Sequence, residues 1–279
     1  MSVGVAAFEY HQPIEEALDR VLRVGADRCE LATPGNVTPE TATAVAEAAR
    51  DRGITVTSVA SLSKPNAVDD DAEVSRMIQL LDDSIRIATT IGAPFAITYF
   101  GGHPTRPVDE GIERYVRLTR NSVKLAEDLG VTILIENHFS HAPGEVTNTA
   151  SGCVDLVKAV DSAAFAVNFD LCNFAIGGQT LDRSYDVLMP YVRNVHIKDA
   201  RPYDPVADEG YTGRIVTDLN NGDFVFVPVG EGITPNDRIL ARMKADGLDV
   251  PITIEGHVPD DRVDDCFRRG LEFVRKVGF

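Results

Sequence analysis

The chain has 279 residues, 44% of them hydrophobic and 25% charged, with a formal net charge of −16. This composition suits one globular domain spanning residues 1–279, near the roughly 250 residues of a closed α/β barrel, and it excludes a disordered chain. The acidic excess disfavours nucleic acid as a partner, and no apolar run reaches the roughly 18 residues that a membrane helix needs.

Short apolar runs alternate with longer amphipathic ones from end to end. Val3 to Phe8 reads as a strand, and Pro13 to Val24 as a helix. Arg28 to Leu31 and Ile54 to Val59 are further strands, separated by a helix over Pro39 to Arg52. Val74, Met77, Ile78, Leu81, Ile85 and Ala88 recur at helical spacing, and Gly92 closes that helix. Pro94 to Tyr99 is the fourth strand, followed by a helix with Val108, Ile112, Tyr115, Val116, Thr119, Val123 and Ala126 on one face. Val131 to Ile135 is a near-continuous apolar run, as suits a parallel strand buried on both faces. Helix Ser151 to Val160, strand Phe165 to Phe169, helix Leu181 to Met189 and strand Val192 to Ile197 follow. The chain ends on helix Pro235 to Asp246, strand Val250 to Ile254 and helix Asp260 to Val277.

Eight strand–helix units in strict alternation predict a (β/α)₈ TIM barrel, a closed parallel sheet with outer helices. An open doubly wound sheet usually carries a Gly-rich turn after its first strand, and Glu9-Tyr10-His11-Gln12-Pro13 offers none. One irregular region, Ala200 to Gly232, contains Asn220-Asn221-Gly222-Asp223 between two apolar runs. That is a hairpin signal on the C-terminal side of the barrel, where long loops build active sites. Cys29, Cys153, Cys172 and Cys266 form no CxxC pair and read as reduced core residues of a cytoplasmic protein. Many aspartates, few lysines and arginine as the main cation form the pattern of a halophilic surface; an ordinary acidic surface is the alternative.

The strand ends carry the chemistry. The fifth strand stops at Glu136, the sixth at Asp170, the seventh at His196 and the eighth at Glu255. A lone acid at a strand end is usually a helix cap or a salt-bridge partner. Four metal-competent side chains in register on consecutive strands are not, because three carboxylates converging without a cation would repel one another. Oxygen-rich ligation with one imidazole suits one divalent metal ion, Mn²⁺, Mg²⁺ or Co²⁺, and is compatible with Zn²⁺.

The strings ILIENH, NFDLCN, VHIKD, VGEG and ITIEGH, in this order, resemble the sugar phosphate isomerase/epimerase family of xylose isomerase-like barrels. The resemblance covers essentially the whole chain. It implies a metal held by Glu136, Asp170, His196 and Glu255, with Glu136 and Glu255 doubling as catalytic acid and base. The implied substrate is a small sugar, sugar phosphate or keto-polyol, transformed by proton transfer through an enediolate. Isomerisation, epimerisation and dehydration of the inosose or dehydroshikimate type all pass through such an intermediate. His103, Asn173, Lys198, Arg201 and His257 are candidate substrate-binding residues, with His138 and His141 weaker candidates and His11 the weakest. Some ketose epimerases of the group carry a His where this chain has Asn173. Glu231, between Gly230 and Gly232, reads as a residue behind the metal ligands or as a loop anchor. A homodimer or homotetramer is compatible with the family.

Two other classes share this fold. An endonuclease IV-like phosphodiesterase would need extra histidines. Here Asn173 stands three residues after Asp170, and no Asp-x-His pair follows His196. A non-catalytic sugar-binding barrel would be expected to have lost a ligand or an acid–base glutamate, and none is missing.

Overall fold

The computed structural model describes residues 2–279. Its strands are β1 (Val3–Ala6), β2 (Arg28–Thr33), β3 (Thr55–Ser61), β4 (Phe95–Thr98), β5 (Thr132–Glu136), β6 (Phe165–Asp170), β7 (Val192–Ile197), β8 (Asp199–Pro202), β9 (Ile215–Asp218), β10 (Gly222–Val227) and β11 (Ile252–Ile254). The helices are α1 (Ile14–Arg23), α2 (Ala42–Asp51), α3 (Asp71–Ile91), α4 (Val108–Leu129), α5 (Ala150–Val160), α6 (Leu171–Ile176), α7 (Leu181–Leu188), α8 (Asn236–Ala245) and α9 (Val263–Val277).

Eight strands close a parallel barrel in the order β1-β11-β7-β6-β5-β4-β3-β2. This is the (β/α)₈ architecture that the alternation predicts. β8, β10 and β9 form a separate antiparallel sheet. No helix among the described residues is long and apolar enough to cross a membrane.

Period-2 alternation sorts the strand residues into two environments. Ile133, Ile135, Val167, Phe169, Val195, Ile197 and Ile254 belong to the large core in which strands meet helices. A much smaller apolar plug of Ala60, Ile97, Leu134 and Ala166, with Ala32 and Phe95 against it, forms a cluster of its own. The alternate positions of the same strands are polar: Glu30, Ser58, Glu136, Asn168, Asp170, Asn194, His196 and Thr253 are all buried.

Some boundaries differ from expectation. β1 stops at Ala6, and Ala7–Glu9 turn as a 3₁₀ segment. β11 begins at Ile252 rather than Val250. α6 was not foreseen; Asp170 Oδ1 caps it by accepting the Asn173 N–H at 2.8 Å. In the irregular region the hairpin forms as read, with Gly222 opposite Asp218 and Val225 opposite Ile215. β10 also pairs with β8, a strand that the pattern of Ala200 to Gly232 does not predict.

The hairpin is tied across the C-terminal end of the barrel. Leu219 N donates to Ser140 O at 2.7 Å, and Ser140 N donates to Asp218 Oδ2 at 2.8 Å. Asn221 Nδ2 donates to Ile176 O at 3.0 Å. The tip therefore bridges the segments that follow β5 and β6.

Candidate metal centre

One ligand atom from each of Glu136, Asp170, His196 and Glu255 lies within 4.8 Å of the others, and all four residues are buried. Register explains the convergence. Glu136 is level with Asn168 on β6, Asp170 is level with His196 on β7, and His196 is level with Thr253 on β11. Glu255 is two residues beyond Thr253, so it returns to the same face, and its N–H donates to Ile197 O at 3.0 Å.

His196 sits at the middle of the group. Nε2 is 3.0 Å from Glu30 Oε2, so a proton on Nε2 is donated to that carboxylate. Nδ1 is the nitrogen that faces the cluster. It lies 3.3 Å from Glu136 Oε2 and 3.2 Å from Glu255 Oε1 and makes no hydrogen bond. Held against two carboxylates, Nδ1 needs a positive charge between itself and them, a proton or a metal ion. The donor set of three carboxylates and one imidazole, with its second nitrogen oriented by an acid, therefore fits a single metal ion.

The surrounding side chains hold the carboxylates in place. Asn168 Nδ2 donates to Glu136 Oε2 at 2.9 Å, and Asn194 Nδ2 donates to Asn168 Oδ1 at 2.9 Å, a polar ladder across β5, β6 and β7. Asn173 Nδ2 donates to Glu136 Oε1 at 3.1 Å and to Asn137 O at 2.9 Å. Asn137 in turn accepts the Asp170 N–H at 2.8 Å and donates to Asp170 O at 2.9 Å.

Lys198 is the resident cation. Its Nζ donates to Glu255 Oε2 at 2.7 Å and lies 2.8 Å from Asp170 Oδ2, close enough for an ion pair but out of hydrogen-bond alignment. Burial and the neighbouring Glu136 and Glu255 raise the Asp170 carboxyl to about 6, although Lys198 opposes them. Burial would raise Glu255 too, but Lys198 and His196 outweigh it and hold that carboxyl well below the usual range. Burial alone would depress His196, yet Glu30, Glu255 and Glu136 around it raise it well above its ordinary value.

The other candidates divide. His257 reaches the centre, with Nε2 3.5 Å from Glu255 Oε2, and its N–H is held by Glu9 Oε2 at 2.7 Å. Asn173 and Lys198 also reach it, but as partners of the ligand carboxylates. Arg201 does not, because its guanidinium forks onto Asp208 at 2.8 and 2.5 Å. The His103 ring is taken by Asp69 at 3.0 Å and by the N–H groups of Thr105 and Arg106. The His138 and His141 rings meet edge-on with centroids 4.4 Å apart, both facing Phe139 O, and His11 is an exposed partner of Asp260. Glu231 is a loop anchor, paired with Arg269.

Sequence reasoning missed Glu30, Asn168, Glu9 and Asp199. Glu30 and Asn168 had a visible signal, a polar residue inside an apolar strand. Asp199 gathers the N–H groups of Gly230, Gly232 and Thr234 at 2.9–3.0 Å and so fixes the return of the long loop into α8.

A family model described as a xylose isomerase-like TIM barrel matches residues 18–277, and the chain belongs to that family. A comparison of the sequence with curated proteins finds no match. Among solved structures, an L-ribulose 3-epimerase is similar with a TM-score of 0.77 at 15% identity, over 99% of this chain and 94% of that one. A probable 3-DHS dehydratase from Bacillus anthracis gives 0.74 at 17% identity, over 98% of each chain. A xylose isomerase-like TIM barrel protein from Mycobacterium smegmatis, in complex with magnesium, gives 0.72 at 16% identity, over 99% of this chain and 95% of that one.

Proposed function

We propose that this protein is a divalent-metal-dependent isomerase or epimerase of a sugar, sugar phosphate or keto-polyol, moving a proton through an enediolate. The observation that carries the reading is the convergence of His196 Nδ1 with three buried carboxylates, one ligand atom of each within 4.8 Å of the others. Glu136, Asp170, His196 and Glu255 would hold the ion, which supplies Lewis-acid polarisation of a carbonyl and its neighbouring hydroxyl.

The proton steps fall to Glu136 and Glu255. β5 and β11 flank β6 and β7 in the sheet, so the two glutamates approach from either side of Asp170 and His196. One carboxylate takes the α-proton and the other returns it. Return to the same carbon from the opposite face inverts the centre, and return to the adjacent carbon shifts the carbonyl. Asn168 and Asn173 fix both oxygens of Glu136, and Lys198 keeps Glu255 ionised, so both enter the cycle as oriented carboxylates. Dehydration is the second reading, because loss of a β-hydroxyl from the same enediolate needs no new group. The likeness to the dehydratase, at a TM-score of 0.74, is about as strong as that to the epimerase.

The experiment is incubation of Mn²⁺-loaded protein in deuterated water with ketoses, keto-inositols and hydroxypyruvate. Deuterium at an α-carbon identifies the substrate, and the product distinguishes epimer, isomer and dehydrated compound. Glu136→Gln and Glu255→Gln each keep an oxygen for the ion but lose the proton acceptor, so each should lower turnover at least about 10²-fold. The variant that still exchanges without forming product marks the glutamate that only returns the proton. Near-normal turnover in both variants would overturn the reading.

A further inference from the structure

Glu9 ends the 3₁₀ segment that follows β1, and it is buried. A buried carboxylate needs partners, and those of Glu9 are two backbone N–H groups from the far end of the chain. Oε1 accepts from Gly256 N and Oε2 from His257 N, both at 2.7 Å. These two amides directly follow Glu255. Gly256 permits the approach, since a Cβ there would come 3.0 Å from Glu9 Oε2 and 3.2 Å from Cys266 Sγ.

Among the described residues, Asp161 and His257 take a positive φ without being glycine. Asp161 does so as the C-cap of α5, an ordinary place for the left-handed region. His257, at φ 51°, ends no helix. A residue with a Cβ stays in that region only where its surroundings hold it. Held there, its Nε2 faces Glu255 Oε2 at 3.5 Å, and its ring lies 5.0 Å from that of Phe226 on β10. With Glu9 it also lines a cavity of about 660 Å³. Lys198 Nζ donates to the same Oε2 at 2.7 Å. Oε2 is thus flanked by Lys198 and His257, and Oε1 is the oxygen 3.2 Å from His196 Nδ1.

We infer that Glu9 is a positioning residue for Glu255. By holding the amides of Gly256 and His257 it keeps the turn left-handed, which keeps the imidazole against Oε2 and Oε1 turned to the centre. The inference rests on the proposed function, in which Glu255 holds the ion and takes part in the proton steps.

The test is a double-mutant cycle read by Mn²⁺ affinity, from the paramagnetic resonance of the free ion. Glu9→Gln keeps the size of the side chain but offers one acceptor oxygen to two amides, and it should weaken Mn²⁺ binding about tenfold. His257→Gly removes the ring and takes a positive φ freely, and it should weaken binding to a similar degree. In the double variant the loss from Glu9→Gln should vanish, because no ring is left to place. A loss caused by the charge of Glu9, or by loosening of the loop as a whole, would recur in the glycine background and overturn the inference. Wild-type affinity in Glu9→Gln would do the same. If Glu9→Gln fails to fold, Gly256→Ala, whose Cβ presses on Glu9 Oε2, takes its place in the cycle. Proton magnetic resonance of the ion-free protein gives a second reading. The Hε1 signal of His257, identified by its loss in His257→Gly, should shift in whichever clamp variant folds. An unmoved signal would overturn the inference even if the wild type bound no Mn²⁺, a result that by itself counts against the metal-dependent reading alone.

Discussion

Glu30 stands between Cys29 and Leu31 in an apolar strand, fully buried, where a carboxylate is stable only with partners. Those partners are Ser58 Oγ at 2.5 Å and His196 Nε2 at 3.0 Å. Because Glu30 fixes the proton on Nε2, it decides that Nδ1 is the nitrogen left for an ion. Glu30→Gln should therefore lower Mn²⁺ affinity by about 10- to 100-fold, measured from the paramagnetic resonance of free Mn²⁺, with the far-ultraviolet dichroism unchanged. Unchanged affinity would show that the tautomer is set by something else. The cysteines give an independent check on packing. Burial pushes the Cys29 thiol up to about 12 and raises Cys153, Cys172 and Cys266 as well. A thiol with a raised pKa stays protonated at pH 8, and only the thiolate attacks a disulfide reagent. Native protein at pH 8 should thus label negligibly, and unfolded protein should label at all four positions. Rapid labelling of one native thiol would contradict the burial.

Among the elements, the hairpin β9–β10 stands outside the barrel and depends on one residue at its turn. Asp218 holds its turn, accepting from Ser140 N at 2.8 Å, from the N–H groups of Asn220 and Asn221 at 2.9 Å, and from Asn221 Nδ2 at 2.8 Å. Asp218→Ala removes these four hydrogen bonds, each contributing about 0.5–1.5 kcal/mol, and the barrel strands share none of them. Hydrogen exchange should quicken over residues 215–227 and stay unchanged over β5 to β7; uniform quickening would mean that the hairpin is part of the global fold. The hairpin was legible because Asn-Gly between apolar runs is a local signal. The barrel strands were legible for a similar reason, being short apolar runs bounded by turns, and Glu136, Asp170 and Glu255 announce themselves as the acids that end or follow a run, whereas His196 lies inside β7. β8 was not, because Asp199-Ala200-Arg201-Pro202 has no apolar alternation and becomes a strand only by pairing with β10. α6 was hidden because its cap is Asp170, a residue already accounted for as a ligand. The pair Glu30–His196 spans 166 positions, and no spacing rule reaches that far.

For the whole molecule the centre is a problem of charge. Glu30, Glu136, Asp170 and Glu255 are buried carboxylates opposed by Lys198 and His196, in a chain whose net charge is already −16. A divalent ion bound only by the folded state stabilises it by mass action, by about 2.7 kcal/mol at a hundred times the dissociation constant. For a chain of this length each kcal/mol moves the melting temperature by about 2 °C, so Mn²⁺ added to chelator-treated protein should raise Tm by about 5 °C. Part of any rise could come from screening of the acidic surface, including the run Asp69-Asp70-Asp71, so NaCl at matched ionic strength is the baseline. His196→Ala removes the one nitrogen ligand and leaves the surface untouched. Measured against its own ion-free form, that variant should lose the Mn²⁺-specific rise and keep the NaCl effect. A rise of equal size in the variant would place the ion on the acidic surface, and the buried carboxylates would then be balanced by Lys198 and His196 alone.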